Sequence, residues 1–103
     1  MKRPDQEHEE HVARVLGGRV QPASGAGPLH KLDVKTDHEL VSCKCTTSAS
    51  TTLKLADWWE VQSEAQMLGL EPMMAYRYHI LNSRQHVDMV AITMDRYIEL
   101  RGF

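Results

Sequence analysis

Apolar positions recur along this chain with two periods, and the switch between them sets out eight elements. Val12, Val15 and Leu16 fall at helical spacing behind an acidic start (Asp5, Glu7, Glu9, Glu10) that follows Pro4. Gly17-Gly18 closes that segment, so the pattern predicts a helix over 5–16. Arg19–Gln21 is a short strand candidate, and Pro22–Pro28, made of small residues, is a loop. A period of two then takes over. In 30–35, Leu32 and Val34 fall on one face and Lys31, Asp33 and Lys35 on the other. In 38–46, Val41, Cys43 and Cys45 share one face, and Leu40, Ser42, Lys44 and Thr46 the opposite one. Thr36-Asp37 suits a tight hairpin between these strands. Pairing them puts Asp33, Ser42 and Lys44 on one mostly polar face.

Thr46–Thr52 is a Ser/Thr-rich loop. Trp58, Val61, Ala65 and Leu68 form the buried stripe expected of a helix over 56–68, stopped at Gly69. Strands are expected over 73–80 and 86–93 with a turn at Asn82-Ser83-Arg84, and a short helix over 95–100 ends the pattern. The order αβββαββα describes one domain, 1–103, with a mixed sheet of about five strands flanked by helices, an α/β or α+β arrangement. Of Trp58-Trp59, one is expected in the core and the other exposed or in an interface. The six methionines fall mostly at core-like positions.

Composition narrows the function classes. A chain of 103 residues has room for one core. Apolar residues make up 42% and charged residues 25%, which argues against disorder over its whole length. No apolar run approaches the ~20 residues of a membrane span. Met1–Glu7 lacks the apolar stretch of a secretion signal. Both cysteines lie in one short segment, so a disulfide scaffold is not expected, and the expected compartment is the cytoplasm. A net charge of −2 is less basic than is usual for a protein that coats nucleic acid by bulk charge, and it leaves binding through a local patch open. Arg19, Lys31, Lys35, Lys54, Arg77 and Arg84 are the candidates for phosphate contacts. Cys43 and Cys45, with His30 or His38 nearby, lack a second ligand pair at zinc spacing and read as buried small hydrophobes. His8 and His11 do not have the spacing of a His-Glu-x-x-His metalloprotease helix.

The ordered set Glu9, Gly17-Gly18, Pro22-Ala23-Ser24-Gly25, Leu32-Asp33-Val34 and Ser42-Cys43-Lys44 resembles the PD-(D/E)XK nuclease superfamily. Within it the chain is most similar to the archaeal-type Holliday junction resolvases and their phage-encoded relatives. Thr46-Thr47, Glu64-Ala65, Glu71-Pro72 and Asp95–Leu100 extend the resemblance over nearly the whole chain. Each motif is short; the order and spacing carry the match. The resemblance implies a restriction-endonuclease-like sheet and a Mg²⁺- or Mn²⁺-dependent endonuclease acting on branched DNA, with roles in recombination or repair. A four-way junction has two strands to cut, which implies a two-fold homodimer.

On the same resemblance, Asp33 is the central metal ligand. Glu9 reaches in from the first helix, directly or through a water. Lys44 is the electrostatic partner of the reacting phosphate, and Ser24 contacts that phosphate or its neighbour. Arg19, Ser24, Lys31, Lys35 and Lys54 form the DNA contacts. The chain departs from the family at Ser42, where the family has the glutamate of Glu-x-Lys. Three readings stay open. The carboxylate has moved to Glu39, Glu60 or Glu64, Glu39 being disfavoured by its odd spacing from Ser42. Alternatively, a native glutamate has been replaced to trap an inactive enzyme. Or the protein binds DNA without cutting it. A nuclease of the same fold acting on linear or nicked DNA is the runner-up activity.

Overall fold

The alternation along β3 (Glu39–Thr46) divides the interior into two layers, one on each face of a five-stranded sheet. The computed structural model describes residues 3–21, 33–46 and 50–102. The other elements are α1 (Pro4–Leu16), β1 (Arg19–Val20), β2 (Asp33–Lys35), α2 (Leu55–Leu68), β4 (Glu71–His79), β5 (His86–Ala91) and α3 (Met94–Arg101). This is the expected order, with boundaries shifted by a residue or two; residues 30–32 of the expected 30–35 strand lie outside the described residues. Both expected helix stops, Gly17 and Gly69, adopt positive φ.

The strands lie in sequence order across the sheet, β1-β2-β3-β4-β5. All neighbours are antiparallel except β3 and β4, which run parallel because α2 carries the chain back between them. On one face, Val12 and Ala13 of α1 pack on Val34, Val41, Met73 and Ala75. On the other, Val61 and Ala65 of α2 pack on Leu40, Met74 and Tyr76, with Trp58 half-buried beside them. Met74, Val34 and Val41 are completely enclosed. Burial of each such side chain contributes about 1.5–3 kcal/mol.

Neither helix has its whole apolar stripe covered. Of the expected α2 stripe, Leu68 is exposed, and of the α1 stripe, Val15. The expectation for the methionines also fails in part. Met73 and Met74 are buried, but Met67, Met89 and Met94 are exposed. Met89 lies on the edge strand β5, and Met94 on α3, which has no buried residue. Periodicity marks one face of an element as apolar; it does not supply a neighbour to cover it. Trp58 and Trp59 divide as expected, Trp59 being exposed. No described helix is long and apolar enough to cross a membrane.

Candidate functional site

The β2–β3 hairpin is closed by one side chain. Thr36 Oγ1 accepts the backbone N–H groups of His38 (3.0 Å) and Glu39 (2.8 Å) and donates its own proton to the Glu39 carboxylate. The Thr36 N–H donates to the Glu39 carbonyl at 2.9 Å. These bonds fix the connection and hence the register, in which Lys35 faces Leu40, Val34 faces Val41 and Asp33 faces Ser42. Directly opposed residues share a face, and so do residues two apart on a strand. The positions of Asp33, Ser42 and Lys44 therefore lie on one face, as the sequence pattern requires.

That face is the one α2 covers. Leu40, two residues before Ser42, is packed beneath Val61 and Ala65. Ser42 is buried between the positions of Asp33 on β2 and Met74 on β4. Lys44, half-buried, lies beside Tyr76, whose hydroxyl donates to Met74 Sδ at 3.7 Å. Along this face the row thus passes from apolar at Leu40 to polar at Lys44. Glu9 is also buried, at 5% exposure, but it belongs to α1 on the opposite face. Ser24 and Lys31, and His30 of the zinc alternative, lie outside the described residues.

Two of the expected DNA-contacting residues come together. Arg19 on β1 is directly opposite Lys35 on β2, and both are exposed. Like charges in that relation repel. They line an open groove of about 620 Å³ with Gly17, Gly18, Thr36 and Asp37. Lys35 is two residues from Asp33, so this basic pair shares the face of the Asp33–Ser42 row. An anion in the groove would relieve the repulsion. Lys54 stands elsewhere, exposed at the start of α2. Of the alternative carboxylates, Glu39 is engaged by Thr36 and by Arg96, at 3.6 Å. Glu60 and Glu64 belong to α2, the helix on the face of the row, with Glu64 exposed.

Arg77 departs from its sequence reading. It is a buried residue on the α1 face, not a rim cation, and its Nε and Nη2 donate to Asp88 Oδ1 and Oδ2 at 2.7 and 3.0 Å. The pair holds the Asp88 carboxyl below the usual carboxylate range and pushes the Arg77 guanidinium up. His11 and His86 approach the same Asp88 oxygen at 3.5 and 3.6 Å. His8, 1% exposed, bonds the Ala75 carbonyl through Nε2 at 3.1 Å. A carbonyl can only accept, so Nε2 carries the proton of this bond. Burial pushes the His8 pKa below the ordinary histidine range. Sequence reasoning missed this cluster because Arg77 and Asp88 meet only through β4–β5 register. The period-two pattern of β5, which points Asp88 to the same face as Val90, was the one available signal.

Among the described residues no three His, Cys, Asp or Glu side chains are grouped to hold a metal. Cys43 and Cys45 lie on the α1 face of β3, and burial pushes the Cys45 thiol up. No protein-family model matches the chain, and no curated protein matches it either.

Proposed function

We propose that this protein is a metal-dependent, structure-selective DNA endonuclease that resembles the Holliday junction resolvases and has a restriction-endonuclease-like sheet. The observation that carries the reading is the row across β2 and β3: Asp33 in register with Ser42, and Lys44 two residues further on the same face. The Arg19–Lys35 pair on that face supports it by offering a place for backbone phosphate.

Mg²⁺ or Mn²⁺ needs only one or two protein carboxylates when waters and substrate phosphate complete its shell, and Asp33 would supply one. Asp33 would hold the ion, which supplies phosphate polarisation and a more acidic water. Glu9 is the second ligand that the resemblance implies, and its helix covers the other face of the sheet. Lys44 offsets negative charge developing on the phosphate oxygens. Arg19 and Lys35 hold the DNA backbone in place, with Lys31 and Lys54 further along it, and Ser24 contacts the scissile phosphate or its neighbour.

A second reading is favoured by one observation. Ser42 is neutral and buried where the resemblance calls for a carboxylate, and a protein of this fold without that ligand binds DNA and does not cut it. The test uses labelled four-way junction and linear duplex with Mg²⁺, Mn²⁺ or EDTA. Metal-dependent cutting of the junction alone supports the first reading, and cutting of both substrates a less selective nuclease. Tight binding without cutting, with cleavage gained in Ser42→Glu, supports the second. Cleavage that survives Asp33→Asn refutes the site, and no affinity for either DNA refutes both readings.

A further inference from the structure

We infer that an apolar pocket next to the Asp33–Ser42–Lys44 row takes one unstacked base of branched DNA, while the row holds the phosphate of a neighbouring nucleotide. The inference rests on the nuclease reading for the place of that phosphate. Beyond Ser42, the face that α2 covers continues in register across the sheet. Lys44 lies beside Tyr76, and Tyr76 opposite Met89; two residues further, Thr46 lies beside Tyr78, and Tyr78 opposite Val87. Cover by the helix thins here. Val61 and Ala65 pack with Leu40, Met74 and Tyr76, whereas Tyr78 is half-buried and Met89 and Val87 are 52% and 46% exposed. The segment that leads into α2 supplies the remaining wall. Thr51 and Leu53, with Tyr76, Tyr78, Met89 and Ala91, line a pocket of about 180 Å³. Sites that enclose a drug-sized ligand measure ~300–1,000 Å³, so this one has room for a single ring system.

The lining and its surroundings select the occupant. Two tyrosines, a methionine and a leucine form most of the wall, and no Asp, Glu, Lys or Arg lines it. Cations stand around it: Lys44 lies beside Tyr76, and Lys54, exposed, directly follows Leu53. A nucleotide is divided in the same way, into a flat ring that stacks on aromatic side chains and a phosphate that cations hold. An apolar side chain of a protein partner would fill the pocket and leave the cations unused. The spacing also fits. Tyr76 and Met89 are one and two strands from Lys44, or ~5 and ~10 Å across the sheet. A base reaches the pocket from a phosphate on the row only once it has left its stack. In paired duplex that costs a few kcal/mol, and least where the base is already mismatched or unpaired. The pocket thereby favours branched DNA over linear duplex without reading sequence, since every base has a face to stack.

The test measures binding in EDTA, so that cleavage plays no part. Labelled four-way junction and linear duplex are titrated with the full chain. Tyr78→Ala should weaken junction binding ~5–100-fold and leave duplex binding unchanged. Abasic nucleotides at the point of strand exchange should cost the wild-type chain a similar factor and Tyr78→Ala nothing more, because both changes remove one contact. A tyrosine needed only for folding would weaken binding of both DNAs, and its loss would add to the abasic loss. Met67→Ala, on exposed α2 surface outside the pocket, should bind as wild type does. If far-UV circular dichroism shows Tyr78→Ala unfolded, Met89→Ala is read in its place. A folded variant that binds the junction as tightly as wild type, or losses that add, overturns the inference. The nuclease reading then still stands on metal-dependent cutting and its loss in Asp33→Asn. Self-association of the chain that Tyr78→Ala disperses also overturns the inference, by placing a second copy in the pocket. No affinity for either DNA overturns the inference and the nuclease reading together.

Discussion

Removing the acid of the Arg77–Asp88 pair should cost far more stability than removing the base. Only 6% of the Arg77 side chain is exposed, against 33% for Asp88. Asp88→Ala strands a guanidinium that β4 holds beneath α1 and that has lost the acceptor of both its short hydrogen bonds. Breaking a buried pair from one side costs 3–5 kcal/mol, and the partial hydration of Asp88 puts this case near the lower end, about 3 kcal/mol. Arg77→Met removes the buried charge, fills much of the volume of the arginine stem, and leaves Asp88 with water, His11 and His86; its expected cost is about 1 kcal/mol. In a domain of this size those losses lower Tm by about 15 °C and about 5 °C. The double variant should resemble Arg77→Met, giving a coupling of about 3 kcal/mol in a double-mutant cycle. Urea unfolding followed by circular dichroism, at one protein concentration, measures all four proteins. If Asp88→Ala is no less stable than Arg77→Met, the pair is not the buried charge that its geometry describes.

Three further outcomes follow from the packing. The His8 pKa is lowered on folding, so the unfolded chain takes up a proton at a pH where the folded protein does not. Stability from this group is therefore fully present above pH ~6.5 and declines as pH falls below it, with a slope of at most ~1.4 kcal/mol per unit. The wild-type-minus-His8→Gln difference in urea midpoint, taken at several pH values, should show that decline, and a flat difference contradicts it. A Cβ added at Gly18 would lie 2.6 Å from the Lys35 carbonyl oxygen and 2.7 Å from Thr36 Cγ2. Gly18→Ala should cost about 1–3 kcal/mol and remove exchange protection at Val20, leaving the α2 side of the core intact. Met74→Ala, at a fully enclosed site, should cost about 2–5 kcal/mol, against less than ~0.5 kcal/mol for Met67→Ala on the surface. Equal melting temperatures for the last two would refute the assigned core.

The sequence by itself determined the order of elements, the two faces of β3, and the juxtaposition of the Asp33, Ser42 and Lys44 positions. These are local properties. The period of two sorts Leu40, Ser42 and Lys44 from Val41, Cys43 and Cys45 whatever lies beyond, and a connection as short as the one Thr36 closes leaves β2 and β3 little choice of register. Only the tertiary structure decided that α2 covers the face of that row while α1, with Glu9, takes the other. It also decided that Arg77 is an interior cation, that Arg19 and Lys35 line one groove, and that β5 and α3 are left uncovered. Each of these depends on contacts between residues far apart in the chain. A repeat of two or of 3.6 residues tells which side of an element is apolar, and the assembled sheet alone settles what lies against it.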